Sequence, residues 1–312
     1  MAVSGTNTFS QTRNDIISRS LSILGVKTRG RALTSEEVNE ASDALNLFVK
    51  GLKSEGVYLW KYAEGTLFLT VGQESYTLDG STANATESFT ETTTSAAAVS
   101  GATAIVVTSA TGFTADYFVG VMQDDGDIFW TTVASVAGTT INLDDALTDD
   151  VSSGATVYVY QNKINRPEAV SSCRRRDSSD YDTAMTELAR SDYFNLAQKT
   201  NTGQPTQFYY DKQLTYGTLY LYQSPSDASN TIKFTFQKMF FDFSSGTDSI
   251  DFPIEWAETL AFGLASRLCY DYGIDKTKAE LIKRTADEML RNLKGYDREE
   301  SIYFVPTYNL YQ

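Results

Sequence analysis

Hydrophobic side chains recur three or four residues apart near both ends of the chain. Such spacing predicts amphipathic helices, each with one apolar stripe. Thr34 and Glu37 form a capping box at the start of one of these helices, and Pro253 stands at a first-turn position of another. The four predicted helices cover residues 8–25, 34–56, 253–273 and 275–295.

From Gly65 the period of the hydrophobic pattern changes to two, and Gly, Asp and Ser residues separate short segments. This alternation predicts strands. Strands 66–70 and 74–78 are predicted to form a hairpin around Gly72, and a brief helix is predicted at 191–196. The other predicted strands are 104–108, 118–123, 127–136, 140–143, 156–160, 169–176, 206–211, 218–222 and 231–238.

An amphipathic helix must bury its apolar stripe against another element, so we expect the four helices to pack together. The predicted fold class is α+β, with a discontinuous antiparallel helical bundle from both chain ends, a large inserted all-β region of small barrel or sandwich modules, and an extended C-terminal arm. The predicted domains are a helical domain (1–61 and 252–295), an acidic β insert (62–162), a second β region (163–251) and a docking arm (296–312).

The composition is that of a folded protein, with 312 residues, 41% of them hydrophobic and 21% charged. There is no histidine, which excludes Ser-His-Asp and Cys-His catalysis as well as imidazole metal ligands. Cys173 and Cys269 are predicted to be buried thiols. Neither a secretory signal nor a transmembrane helix is expected, because no apolar run is long enough for either.

The net charge of −14 is concentrated in one part of the chain. Between Lys61 and Lys163 there are thirteen acidic residues and no Lys or Arg. This segment is either a Ser/Thr-rich β-module that its acids keep in solution, or an acidic surface for cations or basic partners. Either interpretation excludes nucleic-acid binding by this segment, because phosphates repel carboxylates.

Several polar motifs invite a chemical interpretation. Residues 124–127 resemble a calcium loop in composition but not in spacing, so an Asp-Gly hairpin turn is predicted there. The acidic pairs 144–145 and 149–150 are interpreted as acidic loops rather than glycosidase carboxylates. No metal site and no cofactor is expected.

Arg174, Arg175 and Arg176 are the densest basic run, and the first and third would share one face of a strand. They are a candidate polar interface for phosphate or for an acidic partner. A solvated strand edge, or internal ion pairs with Asp177 or Asp180, is the alternative.

The last residues of the chain are aromatic without helical spacing, which predicts an extended arm that covers its aromatic side chains by docking. The arm either binds another protein or folds back onto its own domain. The candidate docking residues are Ile302, Tyr303, Phe304, Val305, Pro306, Tyr308, Leu310 and Tyr311.

A series of short motifs runs in order through the chain: RRRD (174–177), RSDYFNL (190–196), GQPTQ (203–207), GTLYL (217–221), and DFPIEW (251–256) continuing to LASRL (264–268). Together with the opening helices, these motifs resemble the head-to-tail adaptor proteins of tailed bacteriophages. That group includes the packaged-DNA-stabilisation proteins, or tail accessory factors, of short-tailed phages. The acidic β insert departs from the shorter members of the group.

The resemblance implies a non-enzymatic virion protein at the head-tail junction, present in the host cytoplasm during assembly. Such proteins form a ring, usually of twelve copies, which joins the portal protein to the tail nozzle or tube and through which the genomic DNA passes. The resemblance also implies that the C-terminal arm docks on the portal or on a neighbouring subunit. Identical subunits and tail fibres are the other expected partners, and no membrane is expected to take part.

A second hypothesis is a phage carbohydrate-binding or carbohydrate-active tail protein that uses its β modules. Its support is the aromatic content of 12% and tyrosines that alternate along strands, such as Tyr209, Tyr210, Tyr220 and Tyr222. Packing within a β core is the simpler explanation of the same tyrosines.

Overall fold

The structure is a computed structural model that describes residues 9–28, 30–52 and 59–296. The described residues form two compact units. One combines the residues up to Leu59 with those from Phe240 onward, and the other is Trp60–Met239. The predicted docking residues 302–311 lie outside the described residues, as does Gly56, the predicted end of the second helix.

The helices lie where the hydrophobic spacing predicts them. They are α1 (Arg13–Leu24), α2 (Ser35–Leu52), α3 (Arg190–Phe194), α4 (Trp256–Leu268) and α5 (Lys276–Tyr296), and a 3₁₀ turn spans Leu59–Lys61. The predicted capping box of α2 is confirmed, because the Glu37 amide donates to Thr34 Oγ1 at 3.3 Å and the Thr34 amide donates to Glu37 Oε2 at 2.9 Å. Gly25 ends α1 with a φ of 83°, as predicted.

In the first unit, α4 contacts each of α1, α2 and α5. Nine of its thirteen residues are buried, which leaves it with no wide polar face. Gly263 of α4 lies against the Phe48 ring of α2 and has no room for a side chain. The helix is therefore the centre of this unit rather than one of four helices with a single apolar stripe.

The strands of the second unit agree closely with the predicted segments. Seventeen are described: β1 (Tyr62–Phe68), β2 (Ser75–Leu78), β3 (Ala85–Thr86), β4 (Thr90–Thr93), β5 (Ala104–Val106), β6 (Phe118–Met122), β7 (Ile128–Ala137), β8 (Thr140–Leu143), β9 (Thr156–Tyr160), β10 (Ala169–Arg176), β11 (Asp182–Ala184), β12 (Thr186–Glu187), β13 (Thr202–Gly203), β14 (Gln207–Lys212), β15 (Gly217–Tyr222), β16 (Ser224–Pro225) and β17 (Thr231–Gln237).

These strands form four sheets. A five-stranded sheet has the order β11-β10-β17-β1-β3, and a four-stranded sheet has the order β12-β14-β15-β2. One hydrophobic core includes residues of both sheets, such as Leu67 and Phe234 from the first and Phe208 and Leu219 from the second. A six-stranded sheet, β4-β9-β6-β7-β8-β5, has a separate core, and β13 pairs with β16.

The predicted hairpin around Gly72 is wrong, although the glycine does lie in a turn with a φ of 76°. β1 pairs with β3 and β17, whereas β2 pairs with β15. The two predicted partners belong to different sheets, because each strand finds a longer partner from residues 207–237. Alternation along the chain predicts strands but not their partners.

The predicted fold class is also wrong. The described chain is mostly β-sheet, with five α-helices, and no discontinuous antiparallel bundle of the kind expected is evident. The expectation assumed one apolar stripe per helix, whereas α4 is buried around most of its circumference. No helix in the described part of the chain is long and apolar enough to cross a membrane.

The six-stranded sheet is joined to the rest of its unit where the chain enters and leaves it. The Ile164 amide donates to the Ala85 carbonyl at 2.8 Å, which brings the two connections side by side. Phe68 of β1 reaches across to this sheet, with its ring centroid 4.7 Å from that of Tyr158 and 5.0 Å from that of Trp130. Apolar contacts therefore link the six-stranded sheet to the five-stranded sheet.

Candidate functional site

The arginine run lies at the end of β10 and makes ion pairs within its own sheet. Arg176 holds Asp182 with two nitrogens, from Nε to Oδ1 at 2.8 Å and from Nη2 to Oδ2 at 3.0 Å. Arg174 Nη2 donates to Glu64 Oε1 at 2.8 Å. Arg176 also lies 3.7 Å from Asp180, one of the two carboxylates predicted as internal partners.

The pKa shifts of the paired groups agree with these ion pairs. The hydrogen bond from Arg176 lowers the pKa of Asp182, and the same bond raises the pKa of Arg176. Asp182 is brought there by the antiparallel pairing of β10 with β11, which places it opposite Arg176. Glu64 comes from β1, far away in sequence. The sequence did not reveal Asp182 and Glu64 as partners, because the sequence alone indicates ion pairs only between close neighbours such as Asp177 and Asp180.

The acidic motifs lie in turns and loops, where their carboxylates accept hydrogen bonds from nearby residues. Gly126, with a φ of 88°, turns the chain between β6 and β7, and its amide donates to the Gln123 carbonyl at 3.1 Å, which confirms the predicted hairpin turn. Thr131 Oγ1 donates to Asp145 Oδ2 at 2.9 Å, and Thr132 donates to Asp144. Within the described ranges, no group of three or more acidic or cysteine side chains could hold a metal ion.

The two cysteines are buried free thiols, as predicted. Burial raises the pKa of Cys173, which lies in the shared core of the two larger sheets of its unit. Burial also raises the pKa of Cys269. Both thiols are therefore kept in their neutral, unreactive form.

Four aromatic rings from α3, β14 and β15 form a cluster that we call the aromatic patch: Tyr193, Phe194, Tyr209 and Tyr220. The rings of Tyr209 and Tyr220 stack with centroids 5.9 Å apart, and the Tyr193 ring lies 5.0 Å from that of Tyr220. Burial raises the pKa of Tyr193 to about 12. Phe194 keeps 44% of its surface exposed.

Charged groups surround the aromatic patch. Arg190 lies 5.5 Å from the centre of the Phe194 ring and pairs with Asp211 at 3.0 Å. Tyr210, by contrast, packs against the core, and its hydroxyl donates to the Pro167 carbonyl at 2.7 Å. Strand alternation thus separates the tyrosines that the sequence grouped together: Tyr210 faces the core, and Tyr209 and Tyr220 lie in the patch.

A cavity of about 170 Å³ lies between the six-stranded and five-stranded sheets, and we call it the junction cavity. β9 and β17 each contribute two side chains from one strand face, Thr156 with Tyr158 and Thr231 with Lys233. The lining residues are Phe89, Glu91, Met122, Thr156, Tyr158, Arg176, Asp177, Ser178, Asp180, Ser229, Thr231 and Lys233.

Lys233 is the cation of the junction cavity that has no carboxylate within ion-pair distance among the described residues. Its Nζ donates to Thr66 Oγ1 at 2.7 Å and lies 4.8 Å from the centre of the Phe89 ring. Burial lowers the pKa of Lys233, and the nearby Arg176 lowers it further. The carboxylates of Asp182, Glu64 and Asp180 act in the opposite direction, so the ammonium is partly desolvated and has carboxylates in its surroundings but none in direct contact.

Five hydroxyl groups line the same cavity without a hydrogen-bond partner in the described chain, those of Thr156, Tyr158, Ser178, Ser229 and Thr231. Tyr158 and Thr231 are only 7% and 8% exposed. Burial and, to a lesser extent, the Glu91 carboxylate raise the pKa of Tyr158 to about 12. None of these hydroxyl oxygens is a fully buried atom without a partner, so a ligand in the cavity can replace water as their hydrogen-bond partner, which makes the cavity a candidate binding site.

Sequence reasoning did not predict the junction cavity. Its residues come from both the predicted acidic insert and the predicted second β region. A weak signal was present in β17, where polar Thr231 and Lys233 alternate with buried apolar residues. That alternation predicts a polar face but cannot say that β9 covers it.

Comparisons with known proteins add little. No protein-family model matches this chain, and no curated protein matches it. One similar solved structure is the Gp54 tailspike of the Acinetobacter baumannii bacteriophage AP22, in complex with A. baumannii capsular saccharide. The match has 20% identity and a TM-score of 0.22, and it covers 25% of this chain and 15% of the tailspike.

Proposed function

We propose that this chain is a structural protein of a bacteriophage tail, and that it acts as the head-to-tail adaptor between portal and tail nozzle. The proposal extends to a ring of identical subunits that lines part of the DNA exit channel in the virion. The proposal rests on the ordered motifs that resemble the adaptor family. The adaptor role needs no catalytic group.

The observation that carries this proposal is that two of those motifs and the strand that a third leads into meet in space. RSDYFNL supplies α3, the strand β14 follows GQPTQ, and GTLYL opens β15. Tyr193 and Phe194 of RSDYFNL and Tyr220 of GTLYL form the aromatic patch with Tyr209, which follows GQPTQ on β14, although residues 193 and 220 are far apart in sequence. A set of motifs that builds one surface is what an assembly interface requires, since a ring needs complementary patches rather than a catalytic cleft.

The surface near the patch has the chemistry of a protein interface. Phe194 is half-exposed, and the turn between β14 and β15 exposes Tyr216 and Leu214, the latter at 91%. Arg190 adds a guanidinium over the Phe194 ring. Aromatic residues and arginine are the side chains most enriched at interface hot spots.

Native mass spectrometry of the full chain, alone and mixed with the portal protein of its phage, tests the adaptor role. We expect saturation at one copy per portal subunit. Phe194→Ala should weaken either this association or self-association by about thirtyfold or more, because a hot-spot side chain typically contributes about 2 kcal/mol or more. Deletion of residues 301–312 should remove portal binding without loss of folding.

The matched control is Val99→Ala, which truncates another exposed apolar side chain, 69% exposed, in the six-stranded module. It should leave assembly unchanged. Circular dichroism of each variant separates lost binding from lost folding. Failure of the wild-type chain to associate with the portal at any salt concentration would refute the adaptor role.

Saccharide binding by the β-rich unit is a second candidate function. The observation in its favour is the junction cavity, where aromatic rings and hydroxyl groups without protein partners lie together. A binding screen of the full chain against oligosaccharides tests this second function. Saccharide binding does not depend on the adaptor role.

A further inference from the structure

The junction cavity presents an unusual balance of charged groups. Arg176 is held by Asp182, and Asp177 accepts hydrogen bonds from the amides of Ser179 and Tyr181 at 2.9 and 3.0 Å. Lys233 and Glu91, by contrast, have no oppositely charged group within ion-pair distance in the described part of the chain. One ammonium and one carboxylate are thus available to a ligand.

The acidic lining disfavours a polyanion. Glu91, Asp177 and Asp180 all line the cavity, so a phosphate chain or a nucleic acid would meet like charge. A cationic ligand would in turn meet Lys233 and Arg176. An uncharged molecule with many hydroxyl groups avoids both costs, and its hydroxyls can accept from an ammonium and donate to a carboxylate.

The remaining lining fits the same kind of molecule. Five unpartnered hydroxyls can donate or accept, and the rings of Phe89 and Tyr158 offer apolar surface. The volume of about 170 Å³ is below the roughly 300–1,000 Å³ of pockets for drug-sized ligands, so it suits one small ring rather than a long chain.

We propose that the junction cavity binds one uncharged sugar ring of a neutral saccharide, held by Tyr158, Thr231, Lys233 and Glu91. The assignment rests on the second candidate function, saccharide binding, and deepens it by naming the site and the ligand class. It is independent of the adaptor role. Tyr158 and Thr231 are more than nine-tenths buried as residues, but their hydroxyl oxygens are not sealed from solvent, so they are open to a ligand and give the site its hydrogen-bonding specificity.

The test uses the full chain with maltotriose, a β-galactotriose and chitotriose as neutral probes, and a hyaluronate tetrasaccharide as the acidic probe. Saturation-transfer NMR detects binding, and calorimetric titration measures affinity. Tyr158→Phe and Thr231→Val each remove one hydroxyl and keep the side-chain shape. We expect each to weaken binding of the neutral probe about tenfold, which corresponds to one hydrogen bond.

The matched control is Tyr220→Phe, which removes a tyrosine hydroxyl from the aromatic patch and should leave affinity unchanged. A neutral probe whose binding survives in both cavity variants would overturn the assignment while saccharide binding itself stands. Tighter binding of hyaluronate than of every neutral probe would overturn the ligand class. Binding of no probe would overturn both the assignment and the second candidate function, and would leave portal association as a separate result.

Discussion

At the scale of single residues, some charged side chains are bound by partners that the local sequence does not reveal, and others are bound by near neighbours. Arg174 reaches Glu64 across the five-stranded sheet, and Lys233 reaches Thr66. Asp79 is one of the second group, because its partners Ser81 and Thr82 are near neighbours. Local turns can thus be inferred from the sequence, whereas cross-strand ion pairs depend on which strands become neighbours.

Asp79 gives a testable pH dependence. Burial alone would raise its pKa, but hydrogen bonds from Thr82 and Ser81 outweigh burial and lower the pKa to about 2. Since the folded-state pKa lies below the unfolded value of about 3.9, the stabilisation is present above pH 4 and is lost as the pH falls toward 2. Asp79→Asn should therefore lower the urea midpoint at pH 7, and the difference from wild type should shrink between pH 4 and 2.

The carboxyl resonance of Asp79, followed by NMR across the same pH range, measures the pKa directly. A titration near the unfolded value would contradict the prediction. A loss of stability in Asp79→Asn that stays constant down to pH 2 would also contradict it. Such a loss would come from a changed side-chain geometry and not from the missing negative charge.

At the scale of elements, helix and strand positions follow from periodicity and end signals, but the packing of those elements does not. α4 shows the difference. Its apolar residues predict a helix, yet its central place comes from burial around most of its circumference and from Gly263, which allows the Phe48 ring of α2 to approach. A glycine in a helix normally weakens it, so packing compensates at this position.

Gly263→Ala should therefore destabilise the protein, although alanine favours helices. The new methyl group would overlap the Phe48 ring, and overpacking typically costs about 1–3 kcal/mol. The gain in helix propensity is at most about 1 kcal/mol. We expect a net loss of about 1–2 kcal/mol in the free energy of unfolding, measured by urea denaturation with helical circular dichroism.

Gly295 of α5 provides the matched control. A Cβ at Gly295 meets nothing within 4 Å, so Gly295→Ala should be neutral or should stabilise by a few tenths of a kcal/mol. Equal effects of the two substitutions would mean that α2 and α4 can separate without cost.

At the scale of the whole molecule, the acidic six-stranded sheet has its own core but is not isolated from its unit. Phe68 is 1% exposed and lies among rings of that sheet, including Tyr158, Tyr160 and Trp130. The chain also enters and leaves the sheet at adjacent points, Ala85 and Ile164. The junction cavity exists because these two sheets meet.

We expect the six-stranded and five-stranded sheets to unfold together in the wild-type protein, because they share the ring cluster around Phe68. Phe68→Ala should cost about 3–5 kcal/mol and should let the six-stranded sheet open separately. Hydrogen exchange with mass spectrometry measures this, by comparing peptides from β9 and β17. Phe234→Ala, in the other core, should weaken the five-stranded sheet without freeing β9. Equal protection of β9 and β17 in Phe68→Ala would contradict the prediction.

The sequence by itself determined the positions of most strands and of the longer helices, the buried thiols, the Asp-Gly turn at 124–127 and the capping box at Thr34. Each of these depends on periodicity or on contacts between near neighbours. Tertiary structure alone decided that β1 and β2 belong to different sheets, that α4 is central to its unit, and that Thr231 and Lys233 face Tyr158 across a cavity. Strand pairing and cavity formation depend on contacts between residues far apart in the chain, and no local pattern encodes which segments will meet.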